Sequence, residues 1–148
     1  MVGCGTIPKL TKVASEKLIA NPIVEKAIRE QLKKPTGELT KADYEKVTRL
    51  NLYNNKLTDV KGLEKLTKLE QLYLSDNQLT EVPKGLEKLT QLENLTLAVN
   101  QLTDVKGLEK LTQLNGLSLL YNPDLTKAQI AELQKALPNC EIYSNPTK

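Results

Sequence analysis

The feature of this sequence that most restricts its fold is a segment of nine residues that occurs three times in nearly identical form. The copies are KGLEKLTKL at 61–69, KGLEKLTQL at 84–92 and KGLEKLTQL at 106–114, beginning 23 and then 22 residues apart. A fixed period of roughly 20–50 residues indicates stacked units that bury their apolar faces against one another. With five Tyr, no Phe and no Trp, the interior of this 148-residue chain must be built from aliphatic side chains.

Each period also contains an asparagine that follows an alternating pair of leucines. The asparagines are Asn55, Asn77, Asn100 and Asn122, and the pairs are Leu50/Leu52, Leu72/Leu74, Leu95/Leu97 and Leu117/Leu119. Alternation predicts a short strand whose leucines face inward while the intervening residues face outward. An asparagine side chain carries both a donor and an acceptor. We therefore predict that all four asparagines satisfy backbone groups where the chain leaves each strand.

The pattern L-x-x-L-x-L-x-x-N-x-L, in register from Val47 to Asn122, resembles the leucine-rich-repeat family. The segments ending in TDVKGLEKL are similar to the short bacterial repeats of internalins, whereas the repeat with Pro83 has one extra residue. The predicted fold is an α/β solenoid, a right-handed coil with about five short parallel strands on its concave face and a helical cap at each end. The three glycines at 62, 85 and 107 are expected to permit a tight backbone path between strands.

Helical caps are predicted at both ends. Asn21 precedes Pro22 as a suitable N-cap, and a second helix is predicted over 39–47; together they are similar to the helical N-terminal cap of bacterial leucine-rich-repeat proteins. Thr126 and Gln129 form a capping box for a C-terminal helix that stops before Pro138, and 140–143 alternate like a fifth strand. The predicted parts of this single domain are a tether (1–20), a helical cap (21–46), repeats (47–124, with a first strand at 49–54), a C-terminal cap (125–143, with Cys140 and Ile142 inward) and a loose tail (144–148).

Composition argues against a catalytic or metal site. The chain has no histidine, and neither cysteine lies in a metal-ligand cluster. The repeated Glu64, Glu87 and Glu109 stand beside lysines and are expected on a solvated convex surface. The formal net charge is +3 with interspersed signs and no basic stripe with aromatic residues, which disfavours nucleic acid as a partner. We predict neither an enzyme nor a cofactor, metal or transmembrane segment.

The first residues support a hypothesis about location. Met1-Val2-Gly3-Cys4 resembles the end of a bacterial lipoprotein signal, in which Cys4 would be acylated and followed by a tether. The charged and apolar regions of such a signal are missing here. The alternative is an unmodified N-terminus with an exposed thiol. The first hypothesis places the protein at the bacterial envelope or outside the cell, and the second places it in the cytoplasm.

The outward strand positions differ between repeats, although the stretches that connect the strands are nearly copied. Tyrosine at such positions is typical of interfaces because it combines contact area with a hydroxyl group. We predict a monomer that binds a protein or peptide on its concave face. A drifted neutral surface, a structural or designed scaffold without a ligand, and carbohydrate binding remain as alternatives. The predicted partner-binding residues are Arg49, Asn51, Tyr53, Gln71, Tyr73, Ser75, Asp76, Asn94, Thr96, Val99, Ser118, Leu120, Tyr121 and Tyr143.

Overall fold

The repeats form one parallel sheet of five short strands in a computed structural model that describes residues 19–148. Neighbouring strands pair in chain order; the inward leucines of the first four strands stand side by side, and Ile142 of the fifth strand stands beside Leu117. The α/β solenoid with five parallel strands is therefore confirmed. The strands are β1 (Arg49–Asn51), β2 (Gln71–Tyr73), β3 (Asn94–Thr96), β4 (Gly116–Ser118) and β5 (Glu141–Tyr143).

Hydrogen bonding between coils continues beyond the three residues of each strand. Leu52 donates its backbone N–H to Tyr73 O at 2.8 Å, and Asn54 donates to Ser75 O at 3.1 Å. Pairing of the first strand thus reaches Asn54, the residue at which the strand was predicted to end. The chain leaves the extended conformation before that residue. Asn54 itself has a left-handed φ of 55°, which turns the chain out of the sheet.

The core is a stack of leucines closed on the convex side by short 3-10 helices. These helices are Leu63–Lys65, Leu86–Lys88 and Leu108–Lys110, and their leucines are buried. A glycine precedes each of them with φ between 88° and 102°, as the predicted tight path requires. At Gly85 an added Cβ would also lie 2.9 Å from Glu64 Oε1 and 3.2 Å from Glu64 Cβ. Gly85 is thus required both by its dihedral angle and by the close approach of the preceding coil.

Two helices cover the N-terminal end of the stack. Helix α1 (Pro22–Leu32) begins where it was predicted, because Asn21 Oδ1 accepts hydrogen bonds from the backbone N–H groups of the first turn. Helix α2 (Lys41–Tyr44) begins after Thr40 as expected but is much shorter than the predicted 39–47. The chain must leave this helix early because Val47 is fully buried in the core just before the first strand.

The predicted tether extends too far into the chain. Ile19, which we placed in it, is buried and belongs to the hydrophobic core. Its side chain is therefore part of the folded domain, because it helps to cover the first coil together with the buried face of α1. Cys4 and the lipoprotein hypothesis fall outside the described residues.

The C-terminal cap consists of helix α3 (Lys127–Ala136) and strand β5. The capping box of Thr126 and Gln129 is present, and Ile142 pairs with Leu117 as predicted. Cys140 is buried with a free thiol, and burial raises the pKa of that thiol. None of the helices among residues 19–148 has the length and apolar character needed to cross a bilayer.

The expectation of a loose C-terminal tail is wrong. Asn145 Oδ1 accepts a hydrogen bond from the backbone N–H of Tyr121 at 2.8 Å, and Lys148 O accepts one from Lys127 N at 2.8 Å. Lys148 Nζ also lies 3.2 Å from Asp124 Oδ1. In the earlier coils, backbone groups find their hydrogen-bond partners in the next coil. At the end of the stack, residues 144–148 supply such partners instead.

Candidate functional site

Three buried asparagines hold the coils in register beneath the concave face. Asn77 Oδ1 accepts hydrogen bonds from the backbone N–H groups of Asn55 and Leu57, at 3.0 and 2.9 Å. Its Nδ2 donates to Leu52 O and Leu74 O, both at 3.0 Å, so one side chain joins two successive coils. Asn100 and Asn122 do the same. Each accepts one backbone N–H of the preceding coil and donates to carbonyls of that coil and of its own coil.

Asn55 differs from the other three asparagines. It is half-buried, and its side chain donates only to Tyr53 O at 3.2 Å. The difference follows from position, since Asn55 belongs to the first coil and has no preceding repeat to join. The sequence predicts the same structural role for all four asparagines. In the structure, Asn77, Asn100 and Asn122 form a ladder of hydrogen bonds between coils, and Asn55 lies at the end of this ladder rather than within it.

Most of the predicted partner-binding residues lie on one side of the sheet in three parallel columns, whereas Asp76, Val99 and Tyr121 lie just beyond the third column. Strand register places Glu141 and Tyr143 at the ends of the first two columns. The third column follows from the hydrogen bonds that continue beyond the strands. The columns are Arg49, Gln71, Asn94, Gly116 and Glu141; Asn51, Tyr73, Thr96, Ser118 and Tyr143; and Tyr53, Ser75, Ala98 and Leu120.

Exposed apolar area is concentrated on this face. Within residues 19–148, the large hydrophobic side chains that are exposed are Tyr53 (57%), Val99 (44%), Tyr121 (63%) and Tyr143 (49%), and all four belong to the predicted set. Tyr73 and Leu120 are half-buried beside them. Exposed apolar groups that cluster on one face mark an interaction surface more often than scattered ones do.

Polar contacts fix the N-terminal half of the concave face. The Arg49 guanidinium lies 5.1 Å from the centre of the Tyr73 ring, and Tyr73 Oη donates to Gln71 Oε1 at 2.9 Å. Ser75 Oγ and Thr96 Oγ1 are 2.7 Å apart. At the opposite end, Tyr143 Oη donates to Glu141 Oε1, and this bond raises the pKa of the tyrosine.

One rim of the face is formed by a row of residues in the left-handed conformation. Asn54, Asp76, Val99 and Tyr121 have φ values between 54° and 60°, and each directly precedes one of the repeat asparagines. The sequence predicts Asp76, Val99 and Tyr121 as part of the binding surface but does not predict this backbone conformation. The signal that could have revealed it is the Asn and Asp of the first two repeats, since these residue types tolerate the left-handed region.

The glutamates of the convex side are not simply solvated, contrary to the prediction. Glu64 and Glu87 are half-buried, and Glu109 is exposed. Glu87 Oε1 accepts the backbone N–H of Gly85 at 3.2 Å, and Glu109 Oε1 accepts that of Gly107 at 2.8 Å. These carboxylates therefore satisfy donors at the start of the 3-10 helices. Over the described range, the side chains of His, Cys, Asp and Glu form no group of three or more that could hold a metal ion.

Comparison with known proteins agrees with the ladder and the sheet. Residues 45–88 match the family model described as Leucine Rich repeats (2 copies). The chain thus has the leucine-rich-repeat fold. No curated protein matches it.

Solved bacterial structures share this leucine-rich-repeat fold. An internalin C2 from Listeria monocytogenes superposes with a TM-score of 0.74 at 24% identity, over 88% of this chain and 58% of its own. An internalin, inlF, from the same species gives 0.66 at 22% identity, over 90% and 45%. A leucine-rich-repeat protein of Leptospira interrogans gives 0.59 at 37% identity, over 64% and 24%. The leucine-rich-repeat chain described here thus spans less than two thirds of the length of each.

Proposed function

We propose that this leucine-rich-repeat protein is a non-enzymatic interaction module that binds a protein or peptide, as a monomer, through its concave face. The observation that carries the proposal is the distribution of exposed apolar side chains, since Tyr53, Val99, Tyr121 and Tyr143 all lie on or beside one face of the sheet. Interfaces are enriched in tyrosine and depleted in lysine. No lysine occupies any of the three columns, although the convex stretches carry many.

The fold supports the same proposal because the ladder leaves the concave side chains free to vary. Asn77, Asn100 and Asn122 make their hydrogen bonds with backbone groups. The inward leucines supply the packing. Most substitutions in the outward columns therefore change the binding surface without disturbing the coils; Gly116 is an exception, because an added Cβ there would lie 2.9 Å from Asn94 Oδ1.

The test is selection of ligands from a peptide-display library on the immobilised protein. The selected peptides are expected to lose binding to a Tyr53→Ala/Tyr73→Ala/Tyr121→Ala variant. They should keep it with Lys65→Ala/Lys88→Ala/Lys110→Ala, which makes three matched changes on the convex side. Failure to select peptides that discriminate in this way, or loss of binding only with the lysine variant, would overturn the proposal.

A scaffold without a ligand of its own is the second candidate function. The near identity of the segments at 61–69, 84–92 and 106–114 favours it, since selection for repeat stability alone would produce such copies. The same library distinguishes the two candidates, because a ligand-free scaffold would yield no peptides that respond to the tyrosine substitutions.

A further inference from the structure

The left-handed rim is occupied by two kinds of residue. In the first two coils the rim residues are Asn54 and Asp76, which adopt this conformation with little strain because their short polar side chains bond locally. In the next two coils they are Val99 and Tyr121, with φ of 54° and 60°. A β-branched or bulky residue is a genuine outlier in this region. The C-terminal half of the rim is therefore strained where the N-terminal half is not.

The strained residues are also the exposed ones. Val99 and Tyr121 are 44% and 63% exposed, so neither side chain buries enough apolar area in the core to offset the strain of its backbone. They lie in adjacent coils, since Val99 N donates to Leu120 O at 2.8 Å. Strained backbone persists preferentially at functional sites, where the residue type is needed for something other than folding.

We infer that the binding hot spot is the C-terminal half of the concave face, formed by Val99, Leu120, Tyr121 and Tyr143, and that its occupant is an uncharged apolar side chain on a short protruding segment of the partner protein. This inference rests on the proposed function and states where its binding energy is concentrated. It makes Val99 and Tyr121 specificity residues, and their strain reflects selection for contact with the partner.

Charge supports an apolar occupant. The hot-spot residues carry no formal charge, and the neighbouring carboxylate of Glu141 already accepts the hydroxyl of Tyr143. The cation of the face, Arg49, belongs to the first coil and lies over Tyr73. A charged ligand group would lose water at the hot spot without gaining an opposite charge.

Size supports a short segment rather than a second copy of this chain. The hot spot covers three coils about 4.8 Å apart and about three residues of roughly 3.3 Å each, a footprint on the order of 100 Å². Stable complexes bury roughly 800 Å² on each partner. A second copy would need contacts far beyond the hot spot to reach that area, whereas one inserted side chain and its neighbours can fill the hot spot itself.

The test uses Val99→Asn and Tyr121→Asn, each of which places a residue that tolerates the left-handed region. Both variants are expected to unfold at a higher temperature than the native protein and to bind peptides selected from a constrained-loop display library roughly tenfold more weakly. The matched control is Asn54→Gly, at the same rim position in the first coil, which removes a side chain without adding backbone strain and should leave peptide binding within about twofold. Selected peptides should share an uncharged apolar anchor residue.

Several outcomes would overturn the inference. An unchanged or lower unfolding temperature in both asparagine variants would show that the rim is not strained. Peptides that tolerate both variants but are lost with Tyr53→Ala would place the hot spot at the N-terminal end and leave the proposed function intact. Peptides that tolerate every concave substitution would overturn both ideas. Enrichment of charged residues at the anchor position would also contradict the inferred occupant.

Discussion

At the scale of single residues, the asparagine ladder gives the sharpest expectation for stability. Asn100→Ala would leave Leu79 N without its buried acceptor, whereas the carbonyls of Leu74 and Leu97 would each lose one of two side-chain donors and keep the other, from Asn77 and Asn122. A buried group left unsatisfied costs roughly 1–3 kcal/mol and a lost hydrogen bond roughly 0.5–1.5 kcal/mol, so we expect the free energy of unfolding to fall by about 2–4 kcal/mol. Urea denaturation measures this change.

Asn55→Ala is the natural comparison for that substitution. The half-buried Asn55 side chain makes one hydrogen bond, to Tyr53 O, so its loss should cost less than about 1 kcal/mol. Equal losses for the two variants would mean that the interior ladder bonds do not stabilise the stack more than an end residue does.

Alanine substitutions at Gly85 and Gly107 distinguish the cost of backbone strain from the cost of a steric contact. Both have positive φ, at 88° and 102°, so alanine at either position should cost roughly 1–2 kcal/mol of stability. Only at Gly85 does the added Cβ also meet Glu64, because nothing lies within 4 Å of the corresponding position at Gly107. We therefore expect Gly85→Ala to lower the thermal unfolding midpoint more than Gly107→Ala; the reverse order would contradict the close approach at Gly85.

At the scale of elements, the short helix α2 should make stability depend on pH below neutrality. Lys34 Nζ donates to Asp43 Oδ2 at 2.7 Å and Thr40 N donates to it at 2.9 Å, which lowers the pKa of Asp43 from 3.8 to about 2. A depressed folded-state pKa stabilises the fold above the unfolded-state pKa, and this contribution is lost as pH falls through the folded value.

Asp43→Asn tests that linkage, because asparagine keeps the shape but not the charge. The native protein should be more stable than the variant at pH 7. The difference in free energy of unfolding should shrink as the pH falls from about 4 to about 2. Guanidinium is unsuitable because its salt screens the ion pair, so urea titrations at several pH values are the appropriate measurement. A difference that stays constant down to pH 2 would argue against the Lys34–Asp43 interaction.

The starts of the helices were predictable from sequence, and some of the ends were not. Asn21 and Thr126 cap helices through bonds to residues two or three positions away, so the signal is local. The early end of α2 depends on burial of Val47 against the rest of the core. The tail depends on Asn145, which caps Tyr121 across 24 residues of sequence. Such contacts exist only after the coils have stacked, and short motifs do not encode them.

At the scale of the whole molecule, the repeat predicted the sheet and the composition of the concave face but not the strain within it. Alternation of leucines is enough to place Tyr73 and Thr96 outward on neighbouring strands. The left-handed φ of Val99 could not be inferred from a valine, which normally favours extended backbone. It is imposed by the adjoining coils, because the ladder asparagine that follows must reach the same backbone groups in every repeat.

The stack also predicts how stability is distributed along the molecule. In a solenoid each coil interacts only with its neighbours, so perturbation of one end should weaken that end first. Asn145→Ala removes the acceptor of Tyr121 N beside β5. We expect faster amide exchange at Leu119, which donates to Tyr143 O at 2.7 Å, and unchanged exchange at Leu52, which donates to Tyr73 O.

Hydrogen–deuterium exchange at residue resolution measures this gradient, and Asn55→Ala provides the mirror experiment at the first coil. That variant should accelerate exchange near Leu52 and spare Leu119. If both amides accelerated equally in both variants, the five coils would be opening as a single unit. A graded response would instead mean that the C-terminal coils can open locally while the N-terminal coils stay closed, because local opening requires less free energy than opening the whole stack.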